Sequence, residues 1–273
     1  MDKTAQSPEI TTRLHVLTWN LWWQFGPWQE RAPVIVQTLK DLDADIIGLQ
    51  EIWGEGTENS AAQIAAELGY HHHYAPGAII NGVRMGNAIL SRWPILKTET
   101  IALRSDGKNE EMRVAIFAQV DGPRGKVPVF CTHLNWQMPH SHIRQMQVVD
   151  LAKFVKAHKG WKFPPVICGD FNADPESTEI RMLTGQTTAA VDNLVFHDAW
   201  RFANGLEPGF TWDNINPFVA QEHEPDRRID YIFTGWPRPD GAGHITECRI
   251  VGNEPVDGLW PSDHFGLLAE LRY

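Results

Sequence analysis

This chain of 273 residues has few cysteines, no long apolar run and no excess of basic residues. Its three cysteines have no CxxC spacing, which argues against a disulfide framework and a zinc site. No apolar run approaches the roughly 18 residues of a membrane-spanning helix, and none near the start is typical of a signal peptide. We therefore expect no transmembrane segment, reduced core cysteines and a cytoplasmic location.

The charge balance is acidic. Lysine and arginine total 24 against 34 acidic residues, a formal net charge of −10. A protein that coats nucleic acid neutralises many phosphates with basic side chains, so this balance argues against that class. An enzyme that meets one phosphate through a bound cation remains compatible, because the cation supplies the missing positive charge.

The sequence predicts one layered α/β domain over residues 13–273, preceded by a flexible segment at 1–12. It has no repeat, low-complexity tract or Ser/Gly linker. Short β-rich runs are predicted at Leu14–Trp19, Asp45–Leu49, Asn87–Ser91, Val114–Val120, Val127–Thr132, Val166–Cys168, Ile229–Thr234 and Gly266–Leu271. Helices are predicted from Pro33, over Ser60–Leu68, over Ser141–Ala157 and from Asp174-Pro175-Glu176.

Polar side chains gather where the predicted strands meet loops. Loops on a rigid scaffold are where functional residues concentrate. The side chains at these ends are carboxylates, amides and imidazoles: Asn20, Glu51, His133, Asn135, Asp170, Asn172, Asp230, Asp263 and His264. Carboxylate oxygens suit Mg²⁺ or Mn²⁺ rather than zinc, and histidine titrates near neutrality. A cation, a base and donors around one anion are the requirements of phosphoryl chemistry.

Six short motifs carry a resemblance to a known family. They are WN at Trp19-Asn20, LQE ending at Glu51, THLN ending at Asn135, GDFN ending at Asn172, RIDYI at Arg228–Ile232, and SDH ending at His264. In this order they resemble the endonuclease/exonuclease/phosphatase superfamily, which includes deoxyribonuclease I, and in particular an uncharacterised bacterial branch. The resemblance implies a four-layer α/β sandwich of two mostly antiparallel sheets flanked by helices, with the site at one end.

The resemblance also implies a role for each polar residue. Glu51 is expected to bind Mg²⁺ or Mn²⁺, with Asn20 beside it and Asp263 completing the metal site. Asp170 is expected to orient or deprotonate the attacking water. The phosphate is expected to be held by Asn172, His133 and His264, with Asp230 paired to His264.

Some positions depart from the family pattern or have an open role. Deoxyribonuclease I supplies a glutamate partner for the histidine matching His133, but no carboxylate stands in the corresponding region here, so that partner is unidentified. Arg113 resembles a substrate-facing arginine of some members, and an ordinary strand residue is an equal alternative. Among 12 tryptophans, most are expected in the core. Three flank the motifs and are candidates for an aromatic substrate rim: Trp22, Trp136 and Trp212.

Two groups of histidines are interpreted as structural. His71, His72 and His73 are consecutive, and neighbouring side chains of a strand point to opposite faces, so they cannot converge on one metal ion. We expect surface or groove positions for them. His140 and His142 are expected in a loop beside the site, because no supporting thiolate or carboxylate motif accompanies them.

The predicted function is a divalent-metal-dependent hydrolase of phosphate esters, most specifically a phosphodiesterase or nuclease. The expected partner is a phosphate-ester substrate: a nucleic acid, a nucleotide or a small phosphodiester. The alternatives are a phosphatase or phospholipase-type hydrolase of a small sugar or lipid phosphate, and a catalytically silent binding scaffold. A monomer is favoured over an oligomer.

Overall fold

The computed structural model describes residues 10–108, 111–158, 160 and 162–273. Most of the predicted flexible segment, residues 1–9, therefore lies outside the described residues. Within the described ranges, no helix combines the length and apolar character needed to cross a membrane.

The described chain forms thirteen strands and six α-helices, and β4 to β8 follow one another without an intervening helix. The strands are β1 (Arg13–Asn20), β2 (Ile46–Glu55), β3 (Glu58–Asn59), β4 (His71–Ile80), β5 (Val83–Ser91), β6 (Ile95–Ala102), β7 (Val114–Gly122), β8 (Gly125–His133), β9 (Val166–Asp170), β10 (His197–Asp198), β11 (Asp230–Thr234), β12 (Ile245–Val251) and β13 (Gly266–Arg272). The helices are α1 (Trp28–Leu42), α2 (Ser60–Leu68), α3 (Ser141–Ala157), α4 (Thr178–Thr184), α5 (Ala199–Asn204) and α6 (Pro217–Ala220), with a 3₁₀ turn at Met138–His140.

The strands form two sheets. The first has the order β12-β13-β1-β2-β5-β4, with β3 paired to β2, and the second has the order β10-β11-β9-β8-β7-β6. Each sheet contains one parallel pair, β1 with β2 and β8 with β9, and the remaining pairs are antiparallel. The expectation of two mostly antiparallel sheets is confirmed.

Three apolar clusters define four layers. One cluster joins side chains of both sheets and contains Cys131 and Cys168. A second cluster packs the first sheet against α1 and α2, and a third packs the second sheet against α3 and α4. Each sheet is thus covered on both faces, which explains the nearly uninterrupted apolar runs in its central strands. All three cysteines are buried and free, as predicted.

Two predicted helix starts are wrong. Helix α1 begins at Trp28, so Pro33 lies inside the helix and not in its first turn. The earlier start is held by tertiary contacts, since Arg31 in this first stretch is buried and bonded to neighbouring loops. Helix α4 begins at Thr178, because residues 174–177 form a turn in which the Ser177 amide donates to the Asp174 carbonyl at 2.9 Å.

The inter-sheet core predicts the effect of one substitution. A Cβ added at Gly48 of β2 would lie 2.2 Å from the Cys168 sulfur. We expect Gly48→Ala to lower the free energy of unfolding by about 1–3 kcal/mol through overpacking. The Gly48→Ala/Cys168→Ala pair removes that sulfur, so urea unfolding of all three variants should reveal a compensating coupling. Strictly additive losses would contradict this packing.

Candidate active site

The topology brings the predicted site residues to one edge of the sandwich. Parallel β1 and β2 end at the same edge, where Asn20 and Glu51 lie. In the second sheet, Asp170 is paired in register with His133 on one side and with Asp230 on the other. Strand β13 runs antiparallel to β1 and therefore starts at this edge, directly after Asp263 and His264.

One oxygen of Asp170 is the centre of this arrangement. The Asn20 amide donates to Asp170 Oδ2 at 3.0 Å, and the Nε2 atoms of His133 and His264 lie 3.3 and 3.8 Å from the same oxygen. The other oxygen, Oδ1, accepts from the backbone amide of Asn172 at 2.8 Å. Asp170 therefore contacts His133, His264, Asn20 and Asn172, and it is the buried carboxylate next to His133.

The two histidines have opposite electrostatic surroundings. The Nδ1 atom of His264 lies 2.9 Å from Asp230 Oδ2. Burial lowers the pKa of His264, but Asp230, Asp263 and Asp170 outweigh it and raise this pKa well above its ordinary value. Burial, Arg113 and His264 all lower the pKa of His133. At neutral pH the site thus holds one imidazolium and one neutral imidazole.

Glu51 and Asp263 concentrate negative charge in a buried place. Burial and then the charge of Asp263 raise the pKa of Glu51 to about 7, and burial raises the pKa of Asp263 to about 6. The Oε2 atom of Glu51 is buried and has no hydrogen-bond partner among the described residues. Buried carboxylates need a compensating cation, so this donor set fits a hard divalent ion.

Backbone strain marks the same residues. Glu51 lies at an irregularity of β2 with φ +56°, and Asn172 follows β9 with φ +50°. The left-handed region is unfavourable for side chains larger than glycine and persists where the surroundings enforce it. The irregularity in β2 sets the direction in which the Glu51 carboxylate leaves the sheet edge.

A second set of ligands lies beside the first. One ligand atom from each of Asp170, Asp230 and His264 lies within 4.8 Å of the others, a spacing that a metal ion can bridge. His264 already pairs with Asp230 through Nδ1, and its raised pKa favours the protonated form, which cannot bind a metal. Glu51 and Asp263, whose charges interact, are the other candidate cation site.

These residues form the floor of a cleft of about 1130 Å³. Asn20 and Asp230 lie behind the floor, and the other predicted site residues line the cleft: Trp22, Glu51, Arg113, His133, Trp136, Asp170, Asn172, Trp212, Asp263 and His264. Arg113 is buried and paired with Glu111, whose other oxygen accepts from Asn135 at 2.7 Å.

The three candidate tryptophans differ in their settings. Trp136 is 56% exposed at the rim of the cleft, whereas Trp22 lies between Phe218, with ring centroids 4.6 Å apart, and the guanidinium of Arg31. The Trp212 ring meets His264 edge-on at 5.0 Å, and its indole nitrogen has no partner among the described residues.

The remaining histidines lie away from the cleft lining. His71 and His72 are exposed and His73 is half-buried at the start of β4, as predicted. The prediction of loop positions is wrong for His142, which lies in the first turn of α3, while His140 ends the 3₁₀ turn and contacts Asn135 at 3.0 Å. Helix α3 begins at Ser141, as the helix prediction has it, so His142 lies inside the helix.

Arg31 is a supporting residue that the motifs do not reveal. It is 1% exposed, and its guanidinium donates to the backbone carbonyls of two loops of the site: Leu21, Trp22, Trp23, Phe25 and Pro261. One loop follows Asn20 and the other precedes Asp263. Burial lowers the pKa of Arg31 to about 10, so it remains charged at neutral pH. In the sequence it is only one charged residue of a helix.

A family model described as "Endonuclease/Exonuclease/phosphatase family" matches residues 17–264. That range contains the six motifs and all residues of the cleft floor. The chain belongs to the endonuclease/exonuclease/phosphatase family. Membership confirms the resemblance, in a family whose description names enzymes that cleave phosphate esters.

Curated proteins and solved structures are similar to most of the chain. A putative neutral sphingomyelinase of Drosophila melanogaster is 26% identical over 96% of this chain and 61% of its own length. The CCR4-Not complex 3'-5'-exoribonuclease subunit Ccr4 of Yarrowia lipolytica is 23% identical over 92% of this chain and 44% of its own. The chain thus spans about half the length of these relatives. A structure of D. rerio TDP2 complexed with single strand DNA product has a TM-score of 0.76 at 19% identity, covering 96% of this chain and all of that one. This likeness confirms the fold predicted for the family.

The pairing of His264 with Asp230 predicts a titration behaviour. In metal-free protein, Asp230→Asn should lower the pKa of His264, because it removes a neighbouring negative charge. The imidazole signals in nitrogen–proton NMR spectra recorded from pH 5 to 9 report this shift. His133 is the internal control and should stay neutral above pH 7 in both proteins. An unchanged His264 titration would contradict the pairing.

The buried guanidinium predicts a stability loss. Arg31→Met leaves the carbonyls of two loops without their donor, and we expect the free energy of unfolding to fall by about 3 kcal/mol or more. Arg104→Met is the matched control, since that arginine is half exposed in its ion pair with Asp150 and should cost about 1 kcal/mol or less. Equal losses in urea unfolding would show that Arg31 does not hold the loops.

Proposed function

We propose that the protein is a divalent-cation-dependent phosphodiesterase in which water attacks phosphorus in line. The observation that carries this proposal is the convergence of Glu51, Asp263, His133 and His264 around the Asp170 carboxylate on the floor of one cleft. The names of two relatives, a putative neutral sphingomyelinase and an exoribonuclease subunit, both support phosphodiesters as the substrate class.

The cation is proposed to be Mg²⁺ or Mn²⁺, held by Glu51 and Asp263 with Asn20 beside them. The unpartnered Glu51 oxygen and the raised pKa values of both carboxylates support this position. When bound, the cation supplies Lewis-acid polarisation of a phosphate oxygen and neutralises charge that develops on it. The amide oxygen of Asn20 accepts from the backbone amide of Trp22 at 2.9 Å, which fixes the orientation of this side chain.

Asp170 is proposed to orient the attacking water and to accept its proton. The backbone amide of Asn172 and the side chain of Asn20 hold its two oxygens in place. Burial and then Asp230 raise the pKa of Asp170 to about 6, so it is ionised at neutral pH and still a better base than an exposed aspartate.

The phosphate is proposed to lie between the two histidines. His264, held as an imidazolium by Asp230, donates to one phosphate oxygen, while neutral His133 and the amide of Asn172 position another. As the water oxygen bonds to phosphorus, the ester P–O bond breaks and its electron pair leaves with the alkoxide, which takes up a proton. Such preorganised donors stabilise the charge that grows on the phosphate oxygens in the transition state.

The predicted alternative functions, location and oligomeric state are kept as proposals. A phosphatase or phospholipase-type hydrolase uses the same floor on a different ester, whereas a silent scaffold has no need of six matched polar positions. The free, buried cysteines support a cytoplasmic location. We also retain the proposal of a monomer.

The proposal predicts three losses of activity with bis-(4-nitrophenyl) phosphate as substrate. Chelation by EDTA should abolish turnover, and added Mg²⁺ or Mn²⁺ should restore it. Asp170→Asn and Glu51→Gln should each lower kcat on the order of 10²- to 10³-fold, because each removes a preorganised contact. Turnover that resists EDTA, or full activity of Asp170→Asn, would contradict the mechanism.

Glu55→Gln is the matched control. Glu55 ends the same strand as Glu51 but is exposed and does not line the cleft. Its substitution should leave kcat and KM unchanged. A loss equal to that of Glu51→Gln would mean that the strand, and not the buried carboxylate, determines activity.

A further inference from the structure

The cleft extends well beyond the catalytic floor. Its volume of about 1130 Å³ exceeds the 300–1,000 Å³ typical of small-molecule pockets, so a phosphate group alone occupies only a small part of it. The outer walls therefore select among phosphate esters. Their composition is uneven, with carboxylates on one side and large apolar side chains around the mouth.

The charged lining does not suit a polyanion. Among the described residues, no lysine lines the cleft. The lining holds three arginines against six carboxylates: Arg84, Arg113 and Arg227 against Glu51, Glu111, Asp170, Glu222, Glu224 and Asp263. A bound dication and the His264 imidazolium offset the charges of the floor. Away from the floor, Glu222 and Glu224 form an acidic wall, in which Glu224 is half-buried beside Arg227 and Glu222 is exposed.

Two of the arginines already have acidic partners. Arg113 pairs with Glu111, and Arg227 lies 3.3 Å from Asp174 and 3.6 Å from Glu224. Binding of single-stranded nucleic acid depends on a positively charged groove that follows successive phosphates. The described walls offer no such groove beyond the phosphate at the floor.

The mouth of the cleft is apolar. Four large side chains from four separate segments line it while remaining 39–58% exposed: Phe25, Ile79, Met112 and Trp136. Single exposed apolar residues are ordinary, but several around one cleft mark a surface that binds an apolar partner. Because Ile79 and Met112 are aliphatic, the mouth is unlike a platform built to stack nucleobases.

We infer that the substrate is an amphiphilic phosphodiester, a lipid presented at a zwitterionic surface. Its phosphate reaches the floor, its apolar portion lies against Phe25, Ile79, Met112 and Trp136, and its cationic head group faces the exposed Glu222 on the acidic wall. This inference rests on the proposed function and adds to it the chemical class of the substrate.

The first test compares three substrates under the same Mg²⁺ concentration. These are phosphatidylcholine in neutral detergent micelles, a single-stranded oligonucleotide, and bis-(4-nitrophenyl) phosphate. We expect kcat/KM to be at least about tenfold higher for phosphatidylcholine than for the oligonucleotide. Preference for the oligonucleotide, with bis-(4-nitrophenyl) phosphate still hydrolysed, would overturn this inference alone. Failure to hydrolyse any of the three would contradict the proposed function itself.

The second test changes the mouth of the cleft. Ile79→Ser/Met112→Ser should lower the ratio of phosphatidylcholine turnover to bis-(4-nitrophenyl) phosphate turnover about tenfold, because two apolar contacts with the lipid are lost. Leu96→Ser/Leu206→Ser is the matched control, since both leucines are exposed and lie outside the cleft lining. An unchanged ratio in the first pair, or an equal fall in the control pair, would overturn the inference.

Binding provides a readout independent of turnover. With EDTA present, wild-type protein should sediment with phosphatidylcholine vesicles, and Ile79→Ser/Met112→Ser should sediment less. Adding phosphatidylserine to the vesicles should weaken binding, because the acidic wall repels an anionic surface. Equal sedimentation of both proteins, or stronger binding to the anionic vesicles, would overturn the assignment.

The acidic wall is tested by reversing one charge. Glu222→Lys should raise oligonucleotide turnover and make it more sensitive to added salt. Glu254→Lys reverses the charge of an exposed glutamate outside the cleft lining and is the control. Equal effects of the two substitutions would show that overall charge, and not this wall, governs the choice of substrate.

Discussion

Burial of several carboxylates around Asp170 is the constraint on which the rest of the site depends. Asp170 and Asp263 are buried and Glu51 is half-buried on one cleft floor, and burial raises the pKa of each. Such an arrangement is unfavourable unless positive charge compensates it. The His264 imidazolium supplies part of that charge, and a divalent cation at Glu51 and Asp263 is proposed to supply the rest. The chemistry follows from this electrostatic need.

Strand pairing and one buried arginine hold the residues of the cleft floor in place. His133, Asp170 and Asp230 lie on neighbouring strands of the second sheet, so strand pairing sets their spacing. The loops of the first sheet are less regular, and the Arg31 guanidinium ties them together through backbone carbonyls. Strand pairing thus positions the residues of the second sheet, and the buried Arg31 guanidinium holds the loops of the first sheet.

The sequence was sufficient for the sandwich, the order of motifs and the residues of the cleft floor. The apolar runs predicted one layered α/β domain, and the polar residues at their ends predicted an active edge. The two-sheet sandwich was implied by the resemblance that the six motifs carry. The roles of these residues and the identity of the ion remain proposals. Arg31 was not predictable, because its burial depends on carbonyls from two distant loops. Strands β6 and β12 were also missed, since both are edge strands without an apolar run: β6 is mostly exposed, and β12 mixes buried and exposed residues.

The helix starts show the same limit. Pro33 and Asp174 both carry local signals for a first turn, yet α1 starts earlier and α4 later, because packing of Arg31 and a turn before Thr178 determine the boundaries. The central claim, a dication between two buried carboxylates, is tested most directly by anomalous diffraction from crystals soaked with Mn²⁺. The account predicts a manganese peak within bonding distance of Glu51 and Asp263. A cleft with no peak there, or a peak bound only by residues away from this pair, would contradict it.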